Sequence, residues 1–379
     1  MSQKSAELKA QGIDIINLSV GEPDFNTPDH IKEAAKKAID ENYSRYSPVA
    51  GYPALRKAIV NKLQKENGLT YDASQIVVSN GAKQCVCNAV MAVVSPGEEV
   101  IIPAPYWVSY PQMVLMADGV PVFVEAKIEQ DFKITPEQLE AAITPKTRAI
   151  ILCSPSNPTG SVYSQDELEA LAQVLRRHEQ VTVISDEIYE HINYVGRHAS
   201  IAKCEGMKER TIVINGVSKA YAMTGWRIGF LAAPAELAKA CSKLQGQYTS
   251  GPCSVSQMAA TAAFDGPQEC VEDMRKAFER RKNLIVKLAK EVPGFEVNDP
   301  HGAFYLFPKC SYYFGKTDGN RTINDSMDFA LYLLEVGHVA TVGGAAFGSP
   351  ECFRMSYATS DENIVEALRR IKEAVSKLK

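Results

Sequence analysis

Lys219 is the residue of this sequence whose surroundings best suit it to covalent chemistry. It follows the β-branched run TIVINGV and lies in a loop of glycine, small and apolar residues, with Arg227 eight positions further on. Burial in such a loop would lower the pKa of the amine and leave more of it as the nucleophilic free base near neutral pH. Such an amine is suited to forming an imine with an aldehyde. Because most lysines are solvated surface charges, the prediction depends on supporting residues elsewhere.

Asp186 and Tyr189 come at the end of a second β-branched run, in VTVISDEIYE. The aspartate could bind a metal, cap a helix or face a cationic ring. The six histidines show no ligand spacing, which argues against a metal. A carboxylate beside a pyridine nitrogen would hold that nitrogen protonated and make the ring an electron sink. We therefore expect Asp186 to face such a ring, next to the lysine.

Two turns also follow predicted strands. The segment SPSNPTG is a rigid Pro/Asn/Gly turn that could aim the amide of Asn157. The segment SNGAKQ leads into an apolar helix, so the backbone N–H groups of Gly81, Ala82 and Lys83 would lie free at a helix N-terminus, which attracts phosphate. The sequence contains neither a Walker A loop nor a GxGxxG motif. A phosphate site is therefore predicted from the helix terminus alone.

Two residues elsewhere have the chemistry to complete a site of this kind. Trp107 is one of two tryptophans and could stack on a ring, although a tryptophan is more often a core residue. Arg354, in FRMSYAT, carries the planar guanidinium that binds a carboxylate through two hydrogen bonds. An arginine more often forms a surface ion pair, so neither residue is informative alone.

Short β-branched runs alternate with helical patterns through most of the chain, which predicts a mainly parallel sheet covered by helices. Several of the residues above follow the carboxyl ends of these runs, where open α/β sheets bind their ligands. The sequence therefore predicts one site at one edge of the sheet. The predicted strands cover residues 75–79, 99–102, 120–124, 149–152, 181–185, 211–215 and 229–232.

A different pattern begins near Pro267 and predicts a second, smaller α+β domain. A long charged helix is expected over residues 268–291, followed by a strand, a turn, a strand and a closing helix. The strand IDIINLSV near the N-terminus is expected to join this domain. The predicted large domain is 27–267, and the small domain combines 1–26 with 268–379. A length of 379 residues fits two unequal domains.

Composition argues against several classes of function. The formal net charge of −4 lacks the basic surplus with which a general nucleic-acid binder neutralises phosphates. No stretch approaches the roughly 18 apolar residues of a membrane span, and no apolar signal region begins the chain. The nine cysteines form no CxxC pair, which is typical of reduced thiols. We expect a cytoplasmic protein without a metal, a nucleic-acid partner or a membrane anchor.

Together, the segments SPSNPTG, SDEIYE, SKAYAMTGWRIG and FRMSYA, in this order, resemble those of the class I aminotransferases of fold type I, which use pyridoxal 5′-phosphate. GEPDFNTP and GAKQ are similar to segments of the bacterial aspartate aminotransferase branch. The resemblance spans essentially the whole chain. It implies an α/β fold in which a mainly parallel seven-stranded sheet carries helices on both faces, plus a smaller α+β domain.

The activity implied by the resemblance is a ping-pong transfer of the amino group from L-aspartate to 2-oxoglutarate, which gives oxaloacetate and L-glutamate. An aromatic or prephenate aminotransferase, or a lyase, on the same scaffold is the alternative. Formation of oxaloacetate, as opposed to phenylpyruvate or pyruvate, distinguishes these activities.

The resemblance also implies a role for each residue near the predicted cofactor ring. Lys219 corresponds to the lysine that forms the Schiff base and then moves the substrate proton, and Asp186 to the aspartate that pairs with the pyridine nitrogen. Asn157 and Tyr189 correspond to donors to the phenolic oxygen. Trp107 corresponds to the aromatic residue that stacks on the ring.

The phosphate and the subunit arrangement are implied in the same way. Ser218, Arg227 and the turn of Gly81 and Ala82 correspond to the phosphate-binding residues. Tyr46, in SRYSPVAGYP, corresponds to a tyrosine that reaches the phosphate of the neighbouring subunit's cofactor. A site shared in this way implies an obligate homodimer.

The substrate-binding residues complete the prediction. Arg354 corresponds to the arginine that binds the substrate α-carboxylate, and the backbone of Gly21 is expected to line the pocket together with Trp107 and Asn157. Lys83 is similar to a lysine that reads the distal carboxylate in the bacterial branch. A buried unpaired charge there would penalise neutral ligands, so Lys83 would favour aspartate and glutamate.

Overall fold

Strands of mostly buried aliphatic residues form the centre of this computed structural model, which describes residues 2–379 of the chain. In the strands near the centre of the sheet most positions are buried, as is typical of strands that are covered on both faces. The strands are β1 (Ile16–Asn17), β2 (Ile76–Asn80), β3 (Glu99–Ala104), β4 (Val120–Glu125), β5 (Thr147–Cys153), β6 (Thr182–Asp186), β7 (Thr211–Gly216), β8 (Ile228–Ala232), β9 (Tyr305–Leu306), β10 (Val339–Ala340), β11 (Val342–Gly343) and β12 (Phe353–Ser356).

The α-helices connect these strands, and several begin at residues that the sequence marks as caps. Ser164, for example, accepts a hydrogen bond from the backbone N–H of Glu167, whose side chain accepts one from the Ser164 backbone in return. The helices are α1 (Ser2–Ala10), α2 (Asp29–Asp40), α3 (Pro53–Lys62), α4 (Ala82–Val93), α5 (Tyr110–Met116), α6 (Pro136–Ala142), α7 (Gln165–Arg176), α8 (Ala235–Tyr248), α9 (Ser254–Asp265), α10 (Glu269–Lys290), α11 (Ser326–Val336) and α12 (Asp361–Val375).

Strands β2 to β8 form one sheet in the order β2-β8-β7-β6-β5-β3-β4. Strand β8 is antiparallel to both of its neighbours, and the other pairs are parallel. The predicted seven-stranded, mainly parallel sheet is therefore confirmed. The register places Cys153 beside Asp186 and Asp186 beside Ile214, so β5, β6 and β7 end at the same edge.

Helices cover both faces of this sheet, as predicted. Val213 and Phe230 point to the face that packs under α2, α3 and α9. Their neighbours Ile212 and Leu231 point to the opposite face, where α4 and α8 lie. This alternation follows from the two-residue period of a strand.

A second hydrophobic core lies beside the large sheet. It contains Ile16 and Leu18 from the N-terminal segment and many residues between Met274 and Leu378. Strands β9, β11 and β12 form an antiparallel sheet at its centre, and β1 pairs with β10 in parallel. This grouping supports our proposal that 27–267 form a large domain and that the remaining residues form a small one.

The proposed small domain contains less regular strand than the sequence pattern predicts. The expected strand IDIINLSV is limited to Ile16 and Asn17, because its partner β10 also has two residues. Of the strand, turn and strand expected in PGFEVNDPHGAFYLF, the first strand is reduced to an isolated bridge between Glu296 and Lys309. The long helix α10, in contrast, begins and ends within one residue of its predicted limits.

Two sequence-based expectations concern features of the whole described chain. All nine cysteines within residues 2–379 are unpaired thiols. Across the same residues, no helix combines the length and the apolar character that crossing a bilayer requires. Five of the cysteines are buried: Cys85, Cys204, Cys241, Cys310 and Cys352.

Candidate active site

A cavity of about 660 Å³ opens where β5, β6 and β7 end, between the large sheet and the small domain. Its volume lies in the range of small-molecule sites, and its position is the usual one for ligands of open α/β sheets. The structure brings most of the predicted site residues together here. Those that line the cavity are Gly21, Ala82, Lys83, Trp107, Asn157, Asp186, Tyr189, Ser218, Lys219, Arg227 and Arg354.

Lys219 follows β7, and its amine lies inside the cavity. The Nζ atom donates a hydrogen bond to the backbone oxygen of Gly21 at 2.6 Å and lies 5.6 Å from the centroid of the Tyr189 ring. Burial lowers the pKa of Lys219 to about 8, although the carboxylate of Glu22 opposes this shift. A nucleophilic neutral amine is therefore present in useful amounts near neutral pH, as the apolar loop predicts.

Asp186 is the last residue of β6, and its carboxylate is buried at the cavity wall. Oδ2 accepts a hydrogen bond from the Tyr110 hydroxyl at 2.6 Å, and Oδ1 accepts one from the backbone N–H of Ile188 at 3.3 Å. Burial raises the pKa of Asp186 to about 6, and the Tyr110 hydrogen bond opposes this rise. A cationic group of a ligand would stabilise the ionised carboxylate here.

Sequence reasoning missed Tyr110. This residue begins α5, three positions after Trp107, and the two rings form an edge-to-face pair with centroids 5.4 Å apart. The spacing of three residues in YWVSY was the available signal, because the turn before α5, closed by the hydrogen bond from the Tyr110 backbone N–H to the Trp107 oxygen, brings the two residues together.

Arg354 is buried and joins the two predicted domains. Its Nη1 donates to Oδ1 of Asn157, and its Nη2 donates to the backbone oxygen of Ser19, both at 2.8 Å. The guanidinium carbon lies 4.5 Å from the Tyr305 ring centroid and 4.9 Å from that of Phe347. Its Nε atom is also buried and has no hydrogen-bond partner within residues 2–379. This arrangement suits a carboxylate ligand better than the surface ion pair that is common for arginine.

Tyr189 also lines the cavity, and its hydroxyl is 2.7 Å from that of Tyr305, a second cavity residue that sequence reasoning missed. Burial raises the pKa of both phenols, so both stay protonated at neutral pH. The cavity therefore contains two neutral hydroxyl groups in contact with each other.

The predicted phosphate site lies at the N-terminus of α4. Gly81 has a φ of +81°, and a Cβ atom there would lie 2.4 Å from Nη2 of Arg227, so only glycine fits. Arg227 donates to the backbone oxygens of Asn80 and Thr224, at 3.2 and 2.8 Å. Ser218 lies buried on the same cavity wall. A guanidinium beside a helix N-terminus is suited to a phosphate.

Lys83 and Trp107 lie at the outer part of the cavity. The ammonium of Lys83 is 4.9 Å from the centroid of the Trp107 ring, which is a cation–π contact. Lys83 is exposed, so the expectation of a buried charge is wrong for this single chain. Because water solvates this ammonium, a ligand without a distal carboxylate is penalised less than at a buried lysine.

Tyr46 is the predicted site residue that lies away from the cavity. Its side chain is 97% exposed, and it does not line the cavity of its own chain. The prediction that it reaches a neighbouring subunit's site therefore stays a prediction.

One other cluster within residues 2–379 has the composition of a metal site, formed by Glu66, Glu190 and His191. The ammonium of Lys62 already contacts both carboxylates, at 3.5 Å from Glu66 and at hydrogen-bond distance from Glu190. A lysine thus supplies the positive charge that a metal ion would provide, and the cluster is a buried charge network.

Comparison with known proteins identifies the family of this chain. Residues 13–371 match the family model for aminotransferase class I and II. The aspartate/prephenate aminotransferase of Cereibacter sphaeroides is 52% identical over 375 residues, which are 98% of this chain and 94% of that protein. The aspartate aminotransferase of Geobacillus stearothermophilus is 48% identical, over 98% and 94% of the two chains.

A solved structure is also similar over the whole chain. The crystal structure of the aspartate aminotransferase from Rhizobium meliloti matches with a TM-score of 0.96 and 46% identity. The match covers 100% of this chain and 95% of that one. The chain therefore belongs to the class I and II aminotransferase family.

Proposed function

We propose that this aminotransferase transfers the amino group of L-aspartate to 2-oxoglutarate with the help of pyridoxal 5′-phosphate, giving oxaloacetate and L-glutamate. The observation that carries the proposal is the presence of three buried groups in one cavity. These are the low-pKa amine of Lys219, the carboxylate of Asp186 and the guanidinium of Arg354. Relatives named for this activity match nearly the full chain, which supports the proposal.

The donor and acceptor groups of the cavity fit pyridoxal 5′-phosphate. When bound, this cofactor supplies an aldehyde that can form an imine with Lys219 and a pyridine ring that withdraws electrons from the substrate Cα. Asp186, with a pKa of about 6, is ionised above that pH and would hold the ring nitrogen protonated. Tyr189 and the amide nitrogen of Asn157 would donate to the phenolic oxygen, since Oδ1 of Asn157 already accepts from Arg354.

The outer part of the cavity would hold the rest of the cofactor. Ser218, Arg227 and the turn of Gly81 and Ala82 supply hydroxyl, guanidinium and helix-terminal N–H donors for the phosphate. Trp107 supplies the aromatic face for stacking on the pyridine ring.

The substrate would be oriented by charged groups at both ends. Arg354 binds the α-carboxylate through its guanidinium, and Lys83 binds the distal carboxylate. As a free amine, Lys219 would accept the proton from the substrate Cα and donate it to C4′ of the cofactor, a role that its lowered pKa suits. Fixing the substrate at two points brings Cα to this amine, and such positioning accounts for much of the rate of many enzymes.

A homodimer with shared sites is part of the proposal, and so is a cytoplasmic location. The fully exposed aromatic side chain of Tyr46 supports the dimer, because a second copy would bring this residue out of water. The nine unpaired thiols support a reducing compartment.

The direct test is the formation of oxaloacetate from L-aspartate and 2-oxoglutarate by the purified enzyme loaded with cofactor. Lys219→Ala should lose the absorbance of the imine between enzyme and cofactor and lower kcat by about 10⁴-fold or more, because it removes both nucleophile and proton carrier. Lys203→Ala, at a lysine outside the cavity, is the control and should match the wild-type protein. An undiminished rate in Lys219→Ala would end the proposal.

Prephenate is a second candidate amino acceptor, because the relative from Cereibacter sphaeroides is named for aspartate and prephenate. The exposed position of Lys83 favours this candidate, since a solvated ammonium tolerates a change in the distal part of the substrate. Replacing 2-oxoglutarate by prephenate in the same assay tests it. Oxaloacetate formation with prephenate alone as acceptor supports the activity, and its absence rules it out.

A further inference from the structure

Tyr305 connects two groups of the cavity that the proposed function uses separately. It lies on β9, its side chain is buried, and it lines the cavity. It contacts both Tyr189 and Arg354. We propose that Tyr305 is a positioning residue: its hydroxyl fixes the direction of the Tyr189 hydroxyl, and its ring holds the Arg354 guanidinium in place for a carboxylate. This inference rests on the proposed function, because Tyr305 would support two residues of the same site.

The argument for the hydroxyl follows from counting protons. Each phenol has one proton to donate, and the two oxygens are 2.7 Å apart. If Tyr189 donates its proton to a ligand, the hydrogen bond between the phenols requires Tyr305 to donate to Tyr189. A donor behind a hydroxyl polarises it and strengthens its own donation. Tyr305 thus determines both the direction and the strength of the Tyr189 hydrogen bond to a ligand.

Gly21 leaves room for this hydroxyl. A Cβ atom at Gly21 would lie 2.8 Å from the Tyr305 oxygen, which is closer than such contacts occur. The same glycine accepts the hydrogen bond from Lys219 through its backbone oxygen. Because Gly21 has no side chain, the Tyr305 hydroxyl and the Lys219 amine can both approach the backbone at this position.

The argument for the ring follows from the small sheet. Tyr305 pairs with Ser356 in the antiparallel register of β9 and β12, and Arg354 lies two residues before Ser356 on the same strand. Residues two apart on a strand share a face, so the backbone itself places the guanidinium next to the ring. Phe347 covers the guanidinium at 4.9 Å from its ring centroid. A planar cation that contacts two aromatic rings keeps its orientation without an acid partner.

The two parts of the proposal can be separated by two substitutions. Tyr305→Phe removes the hydroxyl and keeps the ring, while Tyr305→Leu removes both. Weaker donation by Tyr189 makes the phenolic oxygen of the cofactor less stable as an anion, so the neighbouring nitrogen becomes more basic. Both variants should therefore shift the pH midpoint of the visible absorbance of the loaded enzyme upward, by about half a unit to one unit.

Binding of succinate, a dicarboxylate without an amino group, reports on the ring. Tyr305→Phe should bind succinate within about twofold of the wild-type protein by calorimetric titration, because the ring remains. Tyr305→Leu should bind it about 5- to 30-fold more weakly, because the guanidinium loses one of its aromatic contacts. If the role of Tyr305 were purely structural, both variants would have a lower melting temperature. The absorbance midpoint and succinate binding would then not respond differently in the two variants.

Tyr194→Phe is the matched control, because it also removes a tyrosine hydroxyl near β9. This hydroxyl donates to the backbone oxygen of Ala303 and does not line the cavity. The control should leave the absorbance midpoint and succinate binding unchanged. If Tyr305→Phe has the same midpoint as this control, the hydroxyl role is wrong, and wild-type succinate binding by Tyr305→Leu contradicts the ring role.

The outcomes also distinguish this inference from the proposed function. Tyr305→Phe keeps the buried ring volume, so the hydroxyl role is tested even if Tyr305→Leu does not fold. A wild-type protein that neither binds the cofactor nor forms oxaloacetate contradicts the proposed function. An active wild-type protein whose Tyr305 variants behave like Tyr194→Phe contradicts the inference alone.

Discussion

The inner and outer parts of the cavity differ in how fully one chain builds them. In the inner part, Asp186, Lys219 and Arg354 are each largely enclosed and hydrogen-bonded by this chain. In the outer part, Lys83 and Arg227 are exposed. The burial that shifts the pKa values is therefore complete within a single chain, whereas the groups proposed to bind the distal carboxylate and the phosphate are still solvated. Reactivity and selectivity would therefore have separate structural sources in this enzyme.

Asp186→Ala tests the inner part and should have the largest effect. Loss of the carboxylate leaves the ring nitrogen of the cofactor without its counter-charge, so kcat should fall by about 10³-fold while the protein still binds cofactor. Steady-state oxaloacetate formation measures the fall. Asp131→Asn is the control, since burial also raises the pKa of Asp131 but it lies outside the cavity. A loss of less than tenfold in Asp186→Ala would contradict its assigned role.

Lys83→Ala tests selectivity in the outer part and should have an intermediate effect. The ratio of kcat/KM for aspartate to that for alanine should fall about tenfold, which is modest because the ammonium is exposed in the single chain. Lys146→Ala, at an exposed lysine before β5, should keep the wild-type ratio. An unchanged preference for aspartate in Lys83→Ala would show that another group reads the distal carboxylate.

Tyr46→Phe tests whether a second copy completes the outer part, and its effect should be the smallest. Loss of one hydrogen bond to the phosphate should weaken cofactor binding by up to about tenfold, as measured by dissociation during dialysis. Tyr43→Phe, in the same loop but with its ring packed against Tyr52, should bind cofactor like the wild-type protein. Sedimentation of a fully active monomer would contradict the shared site.

The large sheet and the inner part of the cavity could be predicted from sequence because both are local features. The strands appear in the sequence as short runs rich in β-branched and aliphatic residues, so all seven were located within about two residues of their observed limits. Asp186 and Lys219 directly follow such runs, and the ends of parallel strands meet at one edge. Spacing along the chain therefore placed these residues correctly.

Other features depend on contacts between distant segments, which the local sequence pattern does not show. Tyr110 is 76 residues from Asp186, and Tyr305 is 116 residues from Tyr189. The two-residue strands of the small domain are limited by their partners, so their extent was overestimated at the N-terminus. Sequence reasoning missed the exposure of Lys83. The pattern of a loop does not show how much of the cavity around it is covered by residues of the same chain.

The pairing of β1 with β10 has a consequence for the order in which the site can form. Ile16 lies beside Val339, and the segment after β1 supplies the backbone oxygens that accept from Lys219 and Arg354. Since a ribosome releases the N-terminal residues first, this segment must wait for β10 to be synthesised before it can dock. The sheet of β2 to β8 can already be complete at that stage. Competence for binding is therefore gained late in biosynthesis, when the first strand closes the cavity.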